Sequence, residues 1–327
     1  MERGEGVMDN AGGGLVYYAK RSELQRKEML SMNKMVKVAA AAFCAVSLTA
    51  VAADEAAKDA PEKELQEEES SILEAGFDFD FLSAYVWRNS IQNDDLVMQP
   101  CVWADLTVAD PLSIGFYVWQ NYDLTDHRRE VLSNGFTETD YNVHLGSSVW
   151  SSEDEDCDLS LELGHEWFQN VGIKREARNE FADTREIYLK ATFENPILNA
   201  YGQVSWMYED FGSYKQGVHY ELGVNKEIEL CDSVTLGGDW NLNFGDAHYL
   251  NYLYGTESYG FGGTTVKAYL RWAVTEWMSL GATIAYTGIL NGAIRKEVGS
   301  WGDDGAYDGY SYARDRVWGG LNLKIAF

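Results

Sequence analysis

Positive charge is scarce in this chain: of 327 residues, 26 are Lys or Arg against 52 Asp or Glu, leaving a formal charge of −26. A chain this acidic repels a phosphate backbone, which needs Lys and Arg to displace its counterions, so nucleic acid is excluded as a partner. Proline is rarer, with 4 residues, and the 4 cysteines stand far apart with no metal-ligand spacing among them. Predominantly apolar sequence is confined to one short run, Val38–Ala53, and the mean hydropathy of −0.32 is too low for a bundle of membrane helices. Also missing are a G-x-S-x-G elbow, a Walker-type phosphate loop and a zinc-type pair among His127, His144, His165, His219 and His248. What is abundant is aromatic residues at 13% and glycine at 31 residues, a composition suited to antiparallel strands carrying many exposed rings.

The first 71 residues divide by composition. Residues 1–31 are polar, Gly-rich and patternless, and read as a spurious upstream extension. From Met32, Lys34 and Lys37 precede the apolar run, and Ala50, Val51 and Ala52 supply the small side chains of a cleavage site. Residues 32–53 are therefore expected to be a secretory signal peptide, too short to serve as a membrane span. Cys44 follows Phe43, whose bulk does not suit lipid attachment. Residues 54–71 are charged, contain Pro61 and no aromatic ring, and read as an acidic flexible tether. Cys101, Cys157 and Cys231 remain after export. A Cys157–Cys231 bridge is open to them in an oxidising compartment, but the preferred reading is small semi-polar filler.

Residues 72–327 are governed by a period of two, which puts successive side chains on opposite faces of a strand. In the first segment Phe77, Phe79, Phe81, Ser83, Tyr85 and Trp87 share one face, and Asp78, Asp80, Leu82, Ala84, Val86 and Arg88 the other. Leu159, Leu161, Leu163 and Trp167 likewise oppose Ser160, Glu162, Gly164 and Glu166, and Val266, Ala268, Leu270 and Trp272 oppose Thr265, Lys267, Tyr269 and Arg271. About 12 such segments can be counted, each near the length a tilted membrane strand requires. Short connections (residues 110–111, 151–158, 194–197, 229–233 and 275–276) alternate with long ones. A soluble sandwich has no reason to segregate its loops by length. The expected fold is all-β: a transmembrane antiparallel up-and-down β-barrel.

In such a barrel the oily face meets outer-membrane lipid and the polar face lines the lumen. The lumen-lining candidates are Asp78, Asp80, Arg88, Asp105, Asp140, His144, Glu162, Glu166, Glu186, Lys190, Glu221, Asp239, Lys267, Arg271 and Lys324. Acidic groups of early and middle strands are expected to face basic groups of later ones, giving a transverse field that orients polar solutes. Gly115, Gly146, Gly164, Gly223, Gly237 and Gly281 are expected to thin the wall on that face. The final strand sets Leu321, Leu323, Ile325 and Phe327 at alternate positions and stops on the ring. This ending resembles the C-terminal signal by which bacterial outer-membrane barrels are recognised by their assembly machinery.

Two segments carry a narrower likeness. LSAYVWRNSIQNDDLVMQP, with Ser83, Tyr85, Arg88, Ser90, Gln99 and Pro100, resembles the opening hairpin of TorF-type porins, and REIYLKATFENPILNAYGQVSWMYED, residues 185–210, is similar to a central hairpin of the same family. The resemblance implies an outer-membrane barrel of porin type, and it brings no ligand residues. The expected activity is passive diffusion of small polar solutes or ions through a narrow lumen, without cofactor or metal. The alternative is a structural or adhesive barrel with a plugged lumen and partner-binding loops. Asp303, Asp304 and Asp308 in the last long loop lack the regular spacing of a calcium loop. His144 and Ser148 share the lumen face, away from any lipid ester, so no catalytic residue is assigned and the chain is expected not to be an enzyme.

Overall fold

The computed structural model describes residues 73–125, 135–152, 157–171, 183–209, 215–255, 258–298, 306–307, 310–311 and 314–327. The upstream extension, the signal peptide, the acidic tether, His127 and the loop aspartates Asp303, Asp304 and Asp308 lie outside the described residues.

In chain order the strands are β1 (Leu73–Leu82), β2 (Tyr85–Trp87), β3 (Ser90–Asn93), β4 (Val97–Ala109), β5 (Leu112–Asp123), β6 (Phe136–Ser151), β7 (Asp158–Asn170) and β8 (Thr184–Glu194). They continue with β9 (Asn199–Met207), β10 (Gly217–Cys231), β11 (Val234–Gly245), β12 (Gly260–Thr275), β13 (Met278–Ile289), β14 (Ala306–Tyr307), β15 (Tyr310–Ser311) and β16 (Asp315–Ala326). Among the described residues two helices, α1 (Ala247–Tyr254) and α2 (Gly292–Val298), sit in long connections. Twelve strands form a closed antiparallel barrel, with β2–β3 and β14–β15 as separate small hairpins. Closure pairs β1 with β16, from Gly76 opposite Ala326 to Leu82 opposite Gly320. Phe327 extends the seam, its amide donating to Ala75 O at 2.8 Å. Each barrel strand is paired on both sides, as a sheet in lipid requires.

The alternation sorts the two faces as the sequence indicates. Leu163, Leu222, Val266 and Leu321 project outward with half or more of their surface open, while Glu186, His219 and Asn243 on the opposite face are fully buried. Exposed apolar side chains recur around the whole wall, the reverse of a soluble protein. Short turns follow β4, β6, β8, β10 and β12, the five places where short connections are expected. The start of β1 and the end of β16 lie at that same turn end. The described cysteines, Cys101, Cys157 and Cys231, are free.

The first segment departs from expectation. The strand ends at Leu82, and Ser83 and Ala84 turn the chain inward into the β2–β3 hairpin. Arg88 and Asn89 form the two-residue turn between Trp87 and Ser90, both in the left-handed region at φ 48° and 61°. Positive φ at both central positions is the turn that matches strand twist, and Asn tolerates it best after Gly. Tyr85, Trp87 and Arg88 therefore lie off the wall: period two names a face only while the strand continues.

The connection after β11, a long loop by sequence, carries a helix. Asp246 caps α1 by accepting from Tyr249 N at 2.8 Å, and its other oxygen accepts from Val218 N at 3.0 Å, tying the helix start to β10. Gly255 closes it in the left-handed conformation at φ 66°, its amide donating to Asn251 O. Tyr249, Leu250, Leu253 and Tyr254 share one face and are buried against Ile289, Ile294 and Val298, with Trp87 of the hairpin packed on the same cluster.

Candidate functional site

The interior is divided into a filled half at the loop end and an open half at the turn end. Filling is done by the β2–β3 hairpin and α1. From β1 the hairpin reaches across the ring to β8, nearly opposite: Arg88 forms a two-pronged ion pair with Glu186, Nη1 to Oε1 at 2.9 Å and Nη2 to Oε2 at 2.6 Å. Both partners are buried, with side-chain exposures of 8% and 1%. The guanidinium lies 4.7 Å from the Trp87 ring centre, 5.5 Å from Tyr249 and 5.8 Å from Phe168, and also donates to the Tyr249 hydroxyl. Burial opposes its charge, but the Glu186 carboxylate, with Tyr249 and Glu166, outweighs that and holds Arg88 protonated well above the ordinary arginine range. The turn is fastened on the other side by Asn89 Nδ2 donating to Gly263 O at 3.2 Å and by Thr265 Oγ1 donating to Asn89 Oδ1 at 2.5 Å.

Around this arginine stand more carboxylates than one cation neutralises. Glu166 and Glu186 are directly opposite each other on β7 and β8. Like charges so placed repel unless a counterion lies between them. Tyr117 donates to Glu166, Tyr85 donates to Glu138 at 2.8 Å, and Asp140 keeps one oxygen, Oδ1, buried without a hydrogen-bond partner. Glu138 and Tyr249 are absent from the residues singled out by sequence. Glu138 shares the Asp140 face two residues away and was legible there. Tyr249 required the helix to be recognised from its Asp246 and Gly255 caps.

Midway down, the remaining candidates are knitted to neighbouring strands. His144 reaches over Gly115 to Asp105, Nε2 to Oδ1 at 3.0 Å, and its Nδ1 lies 3.0 Å from Asn142 Oδ1, so both ring nitrogens are engaged. Tyr188 donates to Glu162 at 2.7 Å and Tyr201 to Glu221 at 2.8 Å; the Lys190 ammonium sits 5.7 Å from the centre of the Tyr201 ring. Three of the six glycines on this face do not thin the wall. Gly164, Gly223 and Gly237 stand opposite Tyr188, Tyr201 and Tyr269 on adjoining strands, where an added Cβ would come within 2.1–2.3 Å of the phenol ring. Each glycine is a seat for a ring, and the ring occupies the space it frees.

At the turn end a cavity of about 470 Å³ is lined by Asp78, Asp80, Asp239, Lys267, Arg271 and Lys324, with Ser279, Gly281 and Thr283 of β13 between the basic residues. At this end acids and bases also alternate along neighbouring strands of the wall, Asp78 beside Lys324 and Asp239 beside Lys267 in register. Opposite charges on neighbouring strands attract most strongly at this spacing, which favours interleaving over segregation. Arg271 is engaged by Glu227 at 3.0 Å, and Asp80 accepts from Asn322 Nδ2 at 2.6 Å. Lys324 lies 5.1 Å from the centre of the Trp103 ring.

No protein-family profile matches the chain, and no curated protein matches it either. Solved structures similar in shape are outer-membrane barrels. One is the NanC porin, 9% identical, covering 77% of this chain and 98% of its own, with a TM-score of 0.46. Another is an outer membrane channel from Pseudomonas putida F1, 10% identical over 81% of this chain and 100% of its own, TM-score 0.45. A third is the outer membrane phospholipase of Salmonella typhi, 13% identical over 80% of this chain and 94% of its own, TM-score 0.43. The narrower TorF-type likeness has no support among these structures. The phospholipase also corrects the expectation that the chain is not an enzyme: barrels of this form include enzymes, so the fold does not exclude catalysis.

Proposed function

We propose that the chain is an outer-membrane channel of porin type through which small polar solutes or ions diffuse, its resting state narrowed by the β2–β3 hairpin. The observation that carries this reading is the inversion of the wall: apolar side chains exposed all round the outside, and inside a charged cavity large enough for a small solute. An apolar exterior calls for lipid, and closure of every strand makes residence there affordable. The signal-peptide pattern of residues 32–53 and the alternating Leu321, Leu323, Ile325 and Phe327 of the last strand support a reading in which the chain is delivered to the outer membrane through the barrel assembly machinery. The inward acids outnumber the bases among the candidate residues, which favours cations.

A plugged barrel acting through its loops is favoured by the burial of the hairpin and α1. The two readings separate in a planar bilayer. A channel gives discrete, cation-preferring conductance steps from the detergent-folded full chain, with longer openings when the hairpin is weakened. A silent bilayer with correctly folded protein, in wild type and hairpin variants alike, removes the channel.

A further inference from the structure

The hairpin arginine occupies a site more elaborate than a latch needs. Apart from the hairpin it consists of the Glu186 carboxylate, the Phe168 ring and the neighbouring acids Glu166 and Asp140 on the wall, and the Tyr249 ring of α1. The Asp140 Oδ1 atom is buried and unpartnered beside a cation that already satisfies Glu186 with both prongs. Aromatic faces with a forked carboxylate partner suit a planar, delocalised cation with parallel N–H groups. A compact ammonium matches that geometry less well, and among the described residues no group of acids, histidines or cysteines is arranged to hold a metal ion.

We propose that this nest is a binding site for guanidinium-bearing solutes and that Arg88 is its tethered resident. A solute with a guanidinium group, entering the lumen, competes with the turn for Glu186 and displaces the hairpin, so the site both recognises its ligand and admits it. Arg88 occupies a two-residue turn, and with Glu186 taken by the solute its guanidinium keeps the Tyr249 hydroxyl and the Trp87, Phe168 and Tyr249 rings, while Asn243 Nδ2 still donates to its carbonyl oxygen. The effect on passage rests on the channel reading above; recognition does not.

Two measurements keep these apart. In the first, full-length Arg88→Gly, which suits the positive φ at that position, is folded in detergent and titrated with ethylguanidinium, ethylammonium and N-ethylurea while Trp fluorescence and thermal unfolding are followed. Binding of ethylguanidinium about tenfold tighter than ethylammonium, with none for N-ethylurea and loss of the difference in Arg88→Gly/Glu186→Gln, is expected. Equal responses to the three probes, or none, overturn the proposal; Arg88→Asn repeats the test should the glycine variant fold poorly. In the second, wild-type protein in a planar bilayer receives arginine amide, and longer openings are expected than with lysine amide. Conductance that ignores arginine amide, together with no preferential binding of ethylguanidinium in the first measurement, sinks the site and spares the channel. Preferential binding with a bilayer that stays silent does the opposite.

Discussion

The loop-side and turn-side halves of the barrel interior are built from inward rows of the same strands, yet one is dry and the other wet. In the loop half Glu166, Glu186 and Asp140 are covered by the hairpin and α1, and their charge is answered by a single arginine from outside the wall. In the turn half Asp78, Asp239, Lys267 and Lys324 alternate along neighbouring strands around a cavity. The lesson is electrostatic. A wall that carries its own counterions can stay open to water, because each charge is solvated or matched where it stands. A wall with surplus carboxylates on β6, β7 and β8 calls for an external cation, and a segment bearing one will be drawn in.

The sharpest way to break the contrast is Glu186→Gln. It leaves Arg88 buried without its forked partner, a change that costs about 3–5 kcal/mol for a buried pair, and the hairpin should leave the lumen. Conductance of the variant should then exceed wild type by a clear step; an unchanged trace would show that the hairpin is held by packing alone. Alkaline pH attacks the same half. Burial raises Tyr249, Tyr252 and Tyr254 of α1 above the ordinary phenol range, so the docked helix keeps protons that an undocked one releases. Docking is therefore unaffected below about pH 10 and weakens as pH rises beyond it, by up to about 1.4 kcal/mol per tyrosine per pH unit. Openings should lengthen between pH 9 and 11 on the order of the phenol titration, and combined Tyr249→Phe, Tyr252→Phe and Tyr254→Phe should flatten that response.

Weaker perturbations sharpen the comparison from the wall itself. Gly237→Ala puts a methyl 2.1 Å from the Tyr269 ring, whereas Gly238→Ala next to it meets nothing nearer than 3.7 Å. The first should lower thermal stability in detergent by about 1–3 kcal/mol and the second should leave it nearly unchanged. Smallest in stability is Lys267→Ala in the wet half. Its solvated charge contributes about 0–1 kcal/mol, while the cation preference read from reversal potentials should rise because Asp239 loses its neighbour. A selectivity indifferent to Lys267 would mean that the cavity does not lie on the ion path.

Most of the barrel was legible because its signal is repeated: apolar alternation in Leu159, Leu161 and Leu163 opposite Glu162, Gly164 and Glu166 recurs in strand after strand. The short turns were legible for the same reason. The filled half was not. Alternation continues from Phe77 through Arg88, so nothing in the period shows that the wall stops at Leu82. The role of Gly164 was misread because the ring that covers it belongs to Tyr188, more than twenty residues away and adjacent only once β7 and β8 are in register.

By itself the sequence determined which side of each strand is oily, how many strands close the ring and where they reverse, since these depend on period, strand length and turn spacing within a few residues. Only the tertiary structure decided which charges meet. Arg88 and Glu186 stand 98 positions apart on elements that face each other across the closed ring. Pairing across a lumen is a property of closure and of what folds into it, and no local pattern encodes it.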